Sequence, residues 1–190
     1  MESKLVLVTG GSRSGKSEFA EKYVLHYSPK CDYIATAEIL DDEMAERVRL
    51  HQQRRADGRW VNYEAPYHAD EVFEKLTAET GAVLFDCLTV YMANLMYGKD
   101  APQGSFMERC EFVFAEIDKL LLAARNSSKL VVFVTNEVGG GIVPANKVAR
   151  EYSDLSGWVN QRVAAACEQV FYCVAGQAVD VKKLAYKFEE

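Results

Sequence analysis

The sequence predicts an α/β protein with a mostly parallel central sheet flanked by helices. Short, continuous apolar runs at 5–9 (LVLVT), 82–85 (AVLF), 130–135 (LVVFVT) and 170–175 (VFYCVA) have the length and two-sided hydrophobicity of strands covered on both faces. Segments of helical length lie between them, and strands that alternate with helices require crossover connections and therefore parallel pairing. A glycine-rich turn, Gly10-Gly11-Ser12-Arg13-Ser14-Gly15-Lys16-Ser17, joins the first such strand to the first helix.

Taken in order, residues 5–9 form a central strand, and Ser17 to Tyr27 form a helix with Phe19, Ala20, Tyr23 and Val24 on one face. Tyr33–Thr36 is a second strand. Residues 41–56 read as a polar helix whose first turn carries Asp41, Asp42 and Glu43, which suits the positive end of the helix dipole. A loop at Asp57-Gly58 precedes a strand at Trp60–Tyr63, a helix is expected over 69–79, and Ala82–Phe85 is a buried strand. Leu88–Met96 is helical, and Gly98–Ser105 is a loop. Phe106–Asn126 is an amphipathic helix with Cys110, Val113, Phe114, Ile117 and Leu121 at helical spacing. After the strand at 130–135 come three consecutive glycines, 139–141, and a helix within Ala145–Glu168. The strand at 170–175 then turns at Gly176 into a final C-terminal strand near Val179–Val181, antiparallel to the rest. No repeat, low-complexity tract or linker interrupts the 190 residues, so one domain is expected.

The formal net charge of −6 argues against nucleic acid or an anionic membrane as a partner, because both demand a dense basic face. Local basicity exists nonetheless: Arg47, Arg49, Arg54, Arg55 and Arg59 fall close together, as a solvated helix face or as an anion-binding patch. The five cysteines, Cys31, Cys87, Cys110, Cys167 and Cys173, form no CxxC pair and fit buried reduced thiols. No apolar stretch reaches membrane-spanning length, and a cytoplasmic setting is expected.

Gly10 to Ser17 satisfies G-x-x-x-x-G-K-[ST] in the strand–turn–helix context that the motif needs. The glycines allow successive backbone N–H groups to converge on phosphate oxygens, and the helix N-terminus adds its partial positive charge. Lys16 would neutralise the β- and γ-phosphates, and the Ser17 hydroxyl would ligate Mg²⁺. Asp86 ends the run Val83-Leu84-Phe85, at the tip of a parallel strand where ligands of open α/β sheets bind. It is a second candidate for the Mg²⁺, although such an Asp can also simply cap the next helix. A switch GTPase, a small-molecule kinase and a nucleotidyltransferase all share these features, so the reaction stays open at this point. No guanine-specifying N-K-x-D motif is present, which weakens the switch reading. His51 lies among Arg47, Arg54 and Arg55, where a neutral imidazole could attack an α-phosphorus and carry a nucleotidyl group; an isolated histidine is more often a surface residue.

Six blocks, in order, carry a resemblance over nearly the whole chain: VTGGSRSGKSEFAE, ATAEILDDEMAERVRLHQQRR, Trp60 to Glu64, FDCLTVYMANLM, VTNEVGGGIVP and AREYSDLSGWVNQRVAAACEQVFYCVAG. Together they resemble the bifunctional adenosylcobinamide kinase/adenosylcobinamide-phosphate guanylyltransferases of cobalamin biosynthesis. The resemblance implies a RecA-like P-loop NTPase fold and a homotrimer. It implies GTP, and ATP, as co-substrates and a corrinoid as the acceptor. It also implies that His51 is the residue guanylylated and that nucleotide contacts fall on Gly10–Ser17, Ala35-Thr36-Ala37, Gln52-Gln53-Arg54-Arg55, Glu64 and Asp86. Two positions depart from the family pattern: Ser12 stands where many relatives carry Ala, and Gly140 where Met is usual. Asn136 and Glu137, after the strand at 130–135, are read as lying near the site or as orienting loop backbone, and Tyr91 and Trp158 as core or interface residues.

Overall fold

Each apolar run becomes a strand because its alternate side chains bury into opposite layers. The protein is described by a computed structural model covering residues 4–38, 49 and 58–187. Its strands are β1 (Lys4–Gly10), β2 (Cys31–Ala35), β3 (Trp60–Glu64), β4 (Ala82–Asp86), β5 (Leu130–Val134), β6 (Gln169–Val174) and β7 (Gln177–Asp180). Among the described residues they form one sheet in the order β3-β2-β4-β5-β1-β6-β7, parallel throughout except for the β6–β7 pair. Leu5 and Leu7 enter one core while Val6 and Val8 enter the other; Val83 and Phe85 against Ala82 and Leu84, and Val131 and Phe133 against Val132 and Val134, repeat the division.

One layer is α1 (Lys16–Tyr27), which packs over β1, β4 and β5 with Ala20 and Val24 fully buried. Phe19 and Tyr23, on the same face, meet Phe171 of β6 at ring-centroid distances of 4.9 and 5.3 Å. The other layer is α2 (Leu88–Tyr97), α3 (Phe106–Asn126) and α4 (Lys147–Ala166). Ser105 begins α3 with a capping box, its hydroxyl accepting from the Glu108 N–H while the Glu108 carboxylate accepts from Ser105 N–H at 2.7 Å. Asn146 caps α4 by accepting from the N–H groups of Val148 and Ala149.

Two expectations shift. The helix expected over 69–79 is a 3₁₀ stretch at Ala69–Glu74 followed by a turn. Side chains account for the stop: the Thr77 hydroxyl accepts from Glu79 N–H, and the Thr77 carbonyl accepts from Lys129 Nζ, diverting backbone groups that a helix would use. The last strand lies at Gln177–Asp180 rather than 179–181, and Val181 opens a short helix, α5 (Val181–Leu184). Of the polar helix expected over 41–56, only Arg49 is described, and it is helical. Tyr91 is fully buried, with its hydroxyl accepting from Ala69 N–H, whereas Trp158 is part-exposed against Phe106 and Phe114. Among the described residues no helix is long and apolar enough to cross a membrane.

Candidate active site at the carboxyl ends of the strands

Parallel pairing gathers the strand ends. Glu64 of β3, Ala35 of β2, Asp86 of β4 and Val134 of β5 stand in one lateral register row, with Val134 opposite Val8 of β1. Partners in such a row project to the same face, and Tyr33, Leu84 and Val132 one step earlier belong to the core under α1. Asp86 therefore faces the layer in which Lys16 and Ser17 open α1. With neighbouring strands about 4.8 Å apart, Asp86 lies two strands, or roughly 10 Å, from β1, and Glu64 roughly 19 Å.

The loop from Gly10 to Ser17 is built by close approach. A Cβ on Gly10 would sit 2.4 Å from the Cys173 carbonyl oxygen, so β6 leaves room there for glycine alone. Gly15 adopts φ +92° against Gly176, whose Cα would be 3.0 Å from an added Cβ. Arg13 also has positive φ. The turn is closed by Ser14 N–H donating to the Gly11 carbonyl at 3.3 Å, and is braced from outside by Gly176 N–H on the Ser14 carbonyl and Glu137 N–H on the Gly10 carbonyl, both at 3.0 Å. Helix α1 follows Gly15, and among the described residues no side chain caps its first N–H groups. The buried Ser14 hydroxyl likewise has no hydrogen-bond partner among the described residues. This concentration of unpaired donors beside a lysine suits an anion. Lys16 Nζ lies 3.2 Å from the Gly11 carbonyl oxygen, folded over the loop.

Asp86 is half-buried, and one of its oxygens, Oδ2, accepts from the Tyr33 hydroxyl at 2.8 Å. The next residue, Cys87, has its thiol pushed up to about 12 by burial and then by the Asp86 charge, opposed by hydrogen bonds with Val90 and Thr89 and last by the Lys16 charge. Thr36 is fully buried and committed: its hydroxyl donates to the Cys87 carbonyl and accepts from Cys87 N–H, both at 2.9 Å, while its own carbonyl accepts from Asn94. Its flanking residues, Ala35 and Ala37, are half-buried. The structure thereby brings Gly10 to Ser17, Ala35, Ala37, Glu64 and Asp86 to one edge. His51 and Gln52 to Arg55 lie outside the described residues.

Glu137 acts on loop backbone, and Asn136 is held by its own. The Glu137 carboxylate accepts from Gly139 N–H at 3.0 Å, and Asn136 is held through its N–H by Thr89 and through its carbonyl by Asn160. Beyond them, a cleft of about 440 Å³ opens between the 138–144 segment and α4, lined by Ile142, Val143, Arg150, Asp154 and Trp158 among others.

Among the described residues no group of His, Cys, Asp and Glu forms a protein-only metal cage. The candidate donors on this side of the sheet, the Ser17 hydroxyl and the Asp86 carboxylate, are hard oxygens; their chemistry fits Mg²⁺, which keeps most of its waters and takes the rest of its ligands from phosphate. Sequence reading did not find Tyr33; the only signal for it is its place two residues before the end of β2, beside the strand that carries Asp86.

A family model described as cobinamide kinase/cobinamide phosphate guanyltransferase matches residues 6–181. Relatives named bifunctional adenosylcobalamin biosynthesis protein CobU, from Escherichia coli and Salmonella typhimurium, are each 41% identical, with 94% of this chain and 99% of the relative covered. The protein named bifunctional adenosylcobalamin biosynthesis protein CobP from Pseudomonas aeruginosa is 34% identical, covering 93% of this chain and 96% of the relative. The crystal structure of the KaiC-like protein PH0186 from Pyrococcus horikoshii superposes with a TM-score of 0.51 at 11% identity, covering 90% of this chain and 71% of that one, which shows that the two share a fold.

Proposed function

This chain belongs to the cobinamide kinase/cobinamide phosphate guanyltransferase family, and on that premise we propose that it performs both steps through one nucleotide site. In the first, a nucleoside triphosphate phosphorylates the aminopropanol hydroxyl of adenosylcobinamide. In the second, GMP passes from GTP to His51 and then to adenosylcobinamide phosphate, giving adenosylcobinamide-GDP. The observation that carries the reading is the Gly10–Ser17 loop, rich in unpaired donors, sharing one face of the sheet edge with Asp86.

In this reading the loop N–H groups and Lys16 hold the triphosphate and stabilise charge that develops as a phosphoryl or nucleotidyl group moves. Ser17 and Asp86 would hold Mg²⁺, which when bound neutralises phosphate charge and orients the oxygens. Ala35, Ala37 and Glu64, in the row beyond Asp86, would meet the nucleoside; Thr36 serves the wall through its bonds to Cys87. Arg54 and Arg55, with Gln52 and Gln53, would gather phosphate charge near His51. A neutral ring nitrogen of His51 attacks the α-phosphorus; the P–N bond forms as the bond to the bridging oxygen breaks, and pyrophosphate leaves. A phosphate oxygen of adenosylcobinamide phosphate then attacks the same phosphorus, the P–N bond breaks, and the imidazole is restored. Two displacements at one site divide a transfer between two bulky substrates. A homotrimer and a cytoplasmic setting accompany this reading, and light scattering tests the first.

The decisive experiment incubates the protein with α-labelled GTP. An acid-labile, alkali-stable label, a mass increase of one GMP mapped to His51, and loss of both in His51→Asn are expected. Absence of any label would remove the guanylyl-histidine and leave a kinase or a direct transferase.

A further inference from the structure

A carboxylate that holds a cation needs a fixed orientation, and hydrogen bonds from residues behind it commonly provide it. Tyr33 is 4% exposed and sits on β2 opposite Leu84, so its ring lies on the α1 face of the sheet. The ring is packed edge-on against Trp60 at 6.1 Å and 89°, which limits where its hydroxyl can go. That hydroxyl donates to Asp86 Oδ2 at 2.8 Å, across from the neighbouring strand. Among the described residues no hydrogen bond reaches the other carboxylate oxygen, Oδ1. The carboxylate is thus pinned through one oxygen by a residue that is itself held in the core, and the second oxygen is left over.

We infer that Tyr33 is a positioning residue for Asp86: by holding Oδ2 it sets the carboxylate for a nucleotide-bound divalent cation, although it touches neither cation nor nucleotide. This rests on the reading of Asp86 as the cation-holding acid. The competing account is that a buried phenol simply needs an acceptor and takes the nearest one. The two accounts differ in what removal of the hydroxyl does. If the bond only satisfies the phenol, Tyr33→Phe deletes donor and need together and leaves cation binding unaltered. If the bond orients the acid, Tyr33→Phe weakens cation binding while ring packing and nucleotide contacts persist.

Mn²⁺, as a spectroscopic substitute, is titrated into the protein with GDP bound and followed by electron paramagnetic resonance. Four proteins are compared: wild type, Tyr33→Phe, Asp86→Asn and the double variant. GDP affinity in the presence of a chelator and thermal melting are recorded alongside. We expect Tyr33→Phe to lower Mn²⁺ affinity on the order of tenfold, with unchanged chelator-condition GDP affinity. Asp86→Asn should lower it further, and the double variant should bind like Asp86→Asn alone, because Tyr33 acts through that carboxylate. Wild-type Mn²⁺ affinity in Tyr33→Phe, with loss in Asp86→Asn, overturns the inference and leaves Asp86 in its role. Wild-type affinity in Asp86→Asn overturns the reading of Asp86 itself. An additive loss in the double variant also overturns the inference, since it means Tyr33 acts elsewhere.

Discussion

Lys16 Nζ, 3.2 Å from the carbonyl oxygen of Gly11, is tethered to the loop whose bound anion it would neutralise. Lys16→Ala should therefore keep the fold, since a half-buried lysine at the first position of α1 contributes little packing, but remove a charge aimed at the transferred group. Loss of one such preorganised donor costs about 10²–10³ in turnover, measured for the kinase step with Tm as the control for folding. Asp86→Asn should impair both steps, and His51→Asn only the guanylyl transfer; loss of kinase activity in His51→Asn would contradict the division of labour. The residues of the phosphate loop were legible because their geometry is local: eight consecutive positions, each demanded by a turn, a close approach or a donor. Tyr33 was not, because its meaning depends on a partner 53 positions away on an adjacent strand. Thr36 was legible as a site-edge position, but that its side chain is spent on the Cys87 backbone depends on how β2 and β4 are paired.

At the scale of elements, the caps decide how firmly the layers are held. The Ser105 hydroxyl satisfies the Glu108 N–H, so Ser105→Ala should destabilise the protein by about 1 kcal/mol, read as a Tm fall of about 2–4 °C for a chain this size. The Glu108 carboxyl is held below its ordinary range by the backbone N–H and then the hydroxyl of Ser105. A carboxyl with a lowered folded pKa contributes stability that is complete above its unfolded pKa and disappears as pH falls through the folded one. The stability gap between wild type and Glu108→Gln, from urea melts, should therefore narrow as the pH is lowered below the carboxylate range; a gap that stays constant would mean the charge is irrelevant. The hairpin between β6 and β7 has a similar, functional weight. Ala175 and Gly176 have φ of 49° and 77°, as a two-residue hairpin turn with positive φ at both positions requires, and Gly176 also braces Ser14. Gly176→Val should cost about 1–2 kcal/mol in backbone strain and also weaken GTP binding, which calorimetry would detect. Gly176 as a turn was visible in the sequence; its support of the phosphate loop was not, since the contact joins opposite ends of the chain. The length of the 69–79 helix differs for a related reason: its residues suit a helix, while the Thr77 hydroxyl and Lys129 Nζ take backbone groups that periodicity ignores.

The whole molecule is polar along its strands, with the ligand edge at one end and a buried ion pair at the other. Asp32 is fully buried at the start of β2, and Lys129, just before β5, donates to its Oδ2 at 2.8 Å and to the Thr77 carbonyl at 2.6 Å. Thr80, just before β4, donates to the same carboxylate oxygen. One charge cluster thus ties together the amino ends of the strands whose carboxyl ends carry Ala35, Asp86 and Val134. A buried ion pair adds little over an apolar substitute, but breaking it leaves a charge in the core, at about 3–5 kcal/mol. Lys129→Met should therefore lower Tm by roughly 6–20 °C at about 2–4 °C per kcal/mol, and the Asp32→Leu/Lys129→Met double variant should recover much of the loss. Because the cluster lies at the opposite end of the strands from the phosphate loop, the shift in Tm produced by saturating GTP, about 2.7 kcal/mol at a hundredfold excess over Kd, should persist in Lys129→Met. If the GTP-induced shift vanished along with the ion pair, the two ends of the sheet would be coupled, and the cluster would have to be counted as part of the site.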